Sequence, residues 1–134
     1  MAESAANQLL IAYVEALKGN AALDIIVTRR VFNYIPRNTQ YPYIVIHITD
    51  SNEWDTDSDN GEEHSVYVHA WDDKEGSKRV NDILRAVFEQ LHDDTTYSLT
   101  DHNLVNCRRV SQNVVRDGQL FHGTAIYRAV TEEA

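Results

Sequence analysis

Apolar residues recur every three or four positions in some stretches of the chain and every second position in others. Between residues 5 and 18, Ala6, Leu9, Leu10, Tyr13, Val14 and Leu17 fall at helical spacing and leave Gln8, Glu15 and Lys18 outside. Gly19-Asn20 stops this helix, and Asn20 suits the cap of a second, short helical turn through Ala21 to Ile26. Arg29 to Tyr41 reads as irregular, with Pro36 and Pro42 as punctuation. Tyr43-Ile44-Val45-Ile46-His47-Ile48 is β-branched and almost continuously apolar, which predicts a strand covered on both faces.

Residues 50 to 63 read as a polar, acidic connection to a second strand, Ser65 to Trp71. That strand alternates, with Val66, Val68 and Ala70 on one face and Tyr67, His69 and Trp71 on the other. Residues 77 to 92 carry the strongest helical pattern. Val80, Ile83, Leu84, Val87, Phe88 and Leu91 form one stripe, and Asp73 or Ser77 is placed to cap its start. Strand-like runs from Leu104 to Arg116 and from Gln119 to Val130 flank Asp117-Gly118, read as a two-residue hairpin link with positive φ at both positions. Thr131 to Ala134 reads as a polar tail. The order helix, strand, strand, helix, strand, strand predicts an α+β fold in a single domain spanning residues 1–134. The expected architecture is a mixed or antiparallel sheet of about four strands, two main helices packed on one face, and an extended acidic β-hairpin arm.

Composition narrows the function. The chain has 134 residues, 43% of them hydrophobic and 25% charged, which is ordinary for a globular domain. Twelve basic and 21 acidic side chains give a net charge of −9, which repels nucleic-acid phosphates at long range. Cys107 is the only cysteine, so neither an internal disulfide nor a Cys-rich zinc site is available. The first residues have neither the basic start nor the apolar core of a secretory signal, and no stretch approaches the length of a membrane span. The expected compartment is the cytoplasm.

The common catalytic signatures are absent: there is no GxGxxG, P-loop or GxSxG. Cys107 lies within a predicted strand, where a small core residue is a better reading than a catalytic thiol. Of six histidines, His47, His69 and His122 lie on strands that can bring them together, and half-buried sheet histidines are preferred over a metal site. Asp55-Thr56-Asp57-Ser58-Asp59-Asn60-Gly61 resembles the opening of a calcium loop. Its glycine comes one position late, however, and Val66 stands where the twelfth-position Glu belongs. No catalytic residue, cofactor or metal is expected.

The acidic arm is the most conspicuous feature. Nine of the 21 acids lie between Asp50 and Asp73, and no Lys or Arg occurs between Arg37 and Lys74. A solvated loop has no need of Trp54, and an aromatic beside acids suits docking. Glu53, Trp54, Asp55, Asp57, Asp59, Glu62 and Glu63 are therefore candidate interface or lumen residues. Arg29, Arg30, Arg37, Arg108, Arg109 and Arg116 are the candidate basic partner face. Separate acidic and basic regions suit a head-to-tail contact between copies, which makes a ring when the rotation closes.

Several segments, taken in order, resemble a known family. They are Ala16-Leu17-Lys18, Arg30-Val31-Phe32, Tyr41-Pro42-Tyr43-Ile44-Val45-Ile46, Glu53-Trp54-Asp55, Gly61-Glu62-Glu63-His64, Val66 to Trp71, Arg116-Asp117-Gly118 and Gly123 to Thr131. The series resembles the tail-completion, or tail-terminator, proteins of long-tailed bacteriophages, prophages and gene transfer agents, over nearly the whole chain. The resemblance implies a non-catalytic virion protein, assembled in the host cytoplasm, that forms a hexameric ring on the head-proximal end of the tail tube. Its implied partners are copies of itself, the tail tube protein and the head-side connector or stopper, with DNA passing through the lumen without specific binding. The acidic arm would either line that lumen, repelling phosphates, or clasp a neighbouring subunit. Three rivals remain: another neck or minor tail protein, a small metal-dependent hydrolase built on the strand histidines and arm acids, and a module binding a small ligand or peptide at a sheet edge.

Overall fold

The computed structural model describes residues 4–54 and 60–134. Helices α1 (Ala6–Lys18) and α2 (Ala21–Val27) lead into strands β1 (Val31–Phe32), β2 (Tyr43–Glu53) and β3 (Gly61–Asp72). Helix α3 (Lys78–Leu91) then crosses to β4 (His102–Asp117) and β5 (Leu120–Glu133). One five-stranded sheet results, in the order β1-β2-β3-β5-β4. β1 pairs with β2 in parallel and every other neighbour is antiparallel, so the sheet is mixed. The α+β architecture is thus the expected one, with two additions. The short turn after Asn20 is a full helix, and a two-residue strand, β1, forms inside the segment read as irregular.

The core lies between the helices and one face of the sheet. Leu9, Tyr13 and Leu17 of α1, Leu23 and Val27 of α2, and Val80, Ile83, Leu84, Val87 and Leu91 of α3 are fully buried. They pack on Ile44 and Ile46 of β2, Val66, Val68 and Ala70 of β3, Leu104 and Cys107 of β4, and Ala125, Tyr127 and Ala129 of β5. Gly123 shows how closely α3 sits on β5. A Cβ there would lie 2.6 Å from Val80 Cγ1 and 2.8 Å from Leu84 Cδ1. Cys107 is an inert core residue, its thiol pushed up to about 11 by burial.

Local chemistry sets the element ends. Asn20 caps α2 as expected, its Oδ1 accepting from the Leu23 N–H at 3.0 Å. Ser77 occupies the N-cap of α3 but makes no capping bond. The end of β3 is tied to α3 by Arg79, whose Nε and Nη2 both donate to the buried carboxylate of Asp72. The last hairpin differs from the expected one by one residue. Asp117 pairs with Leu120, so the two central turn residues are Gly118 and Gln119. Only Gly118, at φ +62°, takes the left-handed region. Glycine at the first central position is the II′ pattern, whereas the Asp-Gly reading needed positive φ at both centres. The strands are also longer than their apolar stretches. β2 and β3 pair as far as Glu53 and Glu62, and Thr131 to Glu133, read as a tail, belong to β5. His64 makes this extension possible. It is fully buried, with Nδ1 2.6 Å from Ser51 Oγ and Nε2 2.9 Å from Thr131 Oγ1.

Candidate interaction surfaces

The helices cover one face of the sheet and leave the other open. Residues on that open face are set by the strand register: Tyr43, Val45, His47 and Asp50 on β2; Trp71, His69, Tyr67, Ser65 and Glu63 opposite them on β3; and His122, Thr124, Ile126 and Arg128 on β5. Five rings form a stacked array across its centre. Trp71 lies on His122 at 3.8 Å between ring centroids, His122 on His69 at 5.0 Å, His69 on His47 at 5.1 Å, and His47 on Tyr67 at 5.6 Å. At the β1 side, Tyr43 packs between Phe32 and Tyr41 and is buried, as is Val45 on the same face.

His47, His69 and His122 therefore converge, and they bond to one another. His69 Nε2 is 3.0 Å from His47 Nε2, and His69 Nδ1 is 2.8 Å from His122 Nε2. A neutral imidazole offers one donor and one acceptor, so the row is satisfied when its protons all run in one direction. A second proton on His69 would require His47 and His122 both to turn an unprotonated Nε2 toward it. Burial, then the neighbouring His122 and His47, push its pKa down to about 4, and burial lowers that of His122. No group of three His, Cys, Asp or Glu among the described residues could hold a metal ion.

The acidic candidates sit at one end of the sheet. Glu53 and Trp54 are exposed, and Glu53 faces Glu62 across the β2–β3 pair. Trp54 donates its N–H to Gly61 O at 2.8 Å, closing the strand pair. Gly61 is required there, since a Cβ would stand 2.6 Å from Trp54 O and 3.0 Å from Thr131 O. Glu62 points to the helix side, where Oε1 accepts the Ala5 N–H at 2.8 Å. Glu63 is on the open face and bonded by Arg128 at 2.9 Å, which holds its carboxyl below the usual range. Asp55, Asp57 and Asp59, and with them the calcium-like pattern, lie outside the described residues. The described limbs of the arm are ordinary sheet, because Glu62 and Glu63 pair with Thr131 and Val130 of β5.

The basic candidates divide between the two edges of the sheet. Arg29, Arg30 and Arg37 flank β1. Arg30 Nε donates to Pro42 O at 2.9 Å, a structural contact, whereas Arg29 and Arg37 are exposed. Arg108, Arg109 and Arg116 lie on β4, at the opposite edge. Arg108 pairs with Asp93 at 3.0 Å, Arg109 stacks 4.2 Å above the Phe88 ring, and Arg116 Nε donates to Gly118 O at 3.0 Å.

Sequence reasoning missed two features. Tyr34 is 74% exposed, and beside it Ile35 is also exposed, forming an apolar knob next to β1. A groove of about 420 Å³ runs between the outer side of α1 and this segment, lined by Leu10, Ile11, Val14, Phe32, Tyr34 and Pro36. An apolar residue destined for the surface carries no mark in the sequence that separates it from a core residue. The only local signal was the Pro36 punctuation. No helix among the described residues is long and apolar enough to cross a membrane.

No curated protein matches the chain. Among solved structures, a chain from the virion of a native gene transfer agent particle superposes with a TM-score of 0.86. It shares 19% identity, over 97% of this chain and 99% of that one, a likeness of fold. The family model described as tail completion protein gp17 matches residues 12–132. That match runs from the middle of α1 almost to the end of β5, and the chain belongs to this tail-completion family, whose members are structural components of the phage virion and not enzymes.

Proposed function

We propose that copies of this protein form a ring, a hexamer by the family resemblance, that caps the head-proximal end of the tail tube. The cap stops tube polymerisation and presents a surface to the head-side connector. The observation that carries this reading is family membership across nearly the whole chain. The structure supports it with uncovered surfaces on several sides of one small domain: an open sheet face, an apolar groove and two basic edges. A protein that must touch its own copies, a tube and a connector needs several such surfaces and no active site. The acidic candidates, Glu53 and Asp55 through Glu63, then either line the lumen, where they keep DNA from adhering, or bind a neighbouring copy. The alternative is another neck or minor tail component.

The test is deletion of the gene in its phage or prophage, followed by electron microscopy of the particles. Filled heads beside free, over-long tails are expected when tube growth is no longer stopped. Heads without any tail would favour the connector alternative, and normal particles would overturn the role.

A further inference from the structure

We infer that the open face of the sheet is the receptor for a second copy of this chain, which inserts the knob Tyr34-Ile35 beside its β1 edge. The inference rests on the ring reading above and assigns its subunit contact. The centre of the face, formed by His47, Tyr67, His69, Trp71, His122, Thr124 and Ile126, contains no Lys, Arg, Asp or Glu. Its histidines hydrogen-bond to one another in series. Aromatic enrichment and loss of charge at the centre, with charges at the rim, distinguish an interface core from ordinary surface.

The knob has matching chemistry. Tyr34 and Ile35 stand out from a segment stiffened by Pro36, whose carbonyl accepts from Thr39 Oγ1. No Asp or Glu occurs between Asp24 and Asp50, while Arg29 and Arg37 flank the knob. At the rim of the open face stands Asp50, exposed and in no ion pair among the described residues. Arg37 is likewise exposed and in no ion pair among them. Opposite unpaired charges beside complementary apolar surfaces fix the register of a head-to-tail contact.

Other sites fit the knob less well. The α1 groove is lined by Tyr34 and Pro36, so the knob is one of its own walls. The free edge of β4 carries Arg108, Arg109 and Arg116, which repel the basic flank of the knob, and its pairing is broken by bulges at Val105 and Val110. DNA is disfavoured on the open face, because its centre has no cation and the chain carries a net charge of −9.

The test is sedimentation equilibrium of the purified full chain at neutral pH over the widest concentration range it tolerates. The unsubstituted chain is expected to associate. Ile126→Asp on the face, or Tyr34→Ser with Ile35→Ser on the knob, should each weaken association on the order of a hundredfold or more. Ile126→Thr and circular-dichroism melts separate an interface effect from unfolding. Mixing the face variant with the knob variant leaves one intact pair of surfaces, so a 1:1 dimer capped at both ends should form and nothing larger. Arg37→Asp should weaken association, and adding Asp50→Arg should restore most of it. Association that survives the face and knob variants overturns these surfaces and leaves the ring standing. A chain that stays monomeric throughout also overturns the inference, while the tail lengths in the deletion judge the capping role separately.

Discussion

Replacing His69 by Gln should make the protein less sensitive to acid. In the fold, His69 lies between His47 and His122 with both ring nitrogens engaged, and its pKa falls from 6.5 to about 4. The unfolded chain therefore takes up this proton first as the pH drops. Its contribution to stability is complete above about pH 6.5, is lost progressively between 6.5 and 4, and changes no further below 4. At about 1.36 kcal/mol per tenfold change in proton affinity, the full displacement is at most roughly 3.4 kcal/mol. His69 is only half-buried, so solvent screens the charge, and about 1–2 kcal/mol is a fairer expectation. Gln is neutral at every pH. Urea unfolding of the two proteins at pH 7.5, 5.5 and 4 isolates the effect, since the carboxylates titrate alike in both. The stability difference between native sequence and variant should move by about 1–2 kcal/mol in favour of the variant between pH 7.5 and 4. On heating this is roughly 3–10 °C of melting temperature for a chain of this size. If the difference is the same at all three pH values, the histidine row does not act as described.

Two further substitutions test the packing and the turn. Gly123→Ala should cost about 1–3 kcal/mol, because Val80 is β-branched on a helix and cannot rotate away from the new methyl group; adding Val80→Ala should cost less than the sum of the single changes. Gly118→Ala should cost about 1 kcal/mol by thermal unfolding, since its φ is positive, whereas Asp117→Ala should be nearly silent; the reverse order would restore the Asp-Gly turn read from the sequence.

The sequence showed what periodicity controls. The α3 stripe and the alternation of Val66, Val68 and Ala70 against Tyr67, His69 and Trp71 describe burial along single elements, and both faces lie as they predict. The ends were less legible, because partners distant in the chain set them. Ser51, His64 and Thr131 are polar residues that satisfy one another inside, so a stretch that reads as loop and tail continues as sheet. β1 consists of two residues and exists because Ile44 and Val45 lie beside them. The hairpin turned on a single φ angle, and Asp-Gly and Gly-Gln are one residue apart. The histidine row was visible as three residues able to meet. That they would bond in series across a surface, and not round a common centre, required the register.

That series bears on why the open face carries imidazoles where a subunit interface could carry leucine or phenylalanine. In the proposed ring each copy exists first as a free chain, and a broad aliphatic face in water promotes unspecific association. Histidines beside Tyr67, Trp71 and Thr124 keep polar edges toward water, so the free face remains wetted. In contact, the same rings have already satisfied most of their hydrogen bonds with each other, and little polar capacity is stranded when water leaves. Stacked rings also lose little side-chain freedom on docking, since neighbours within the chain already hold them. A face built this way stays wetted in the free chain and dries at little cost in a contact.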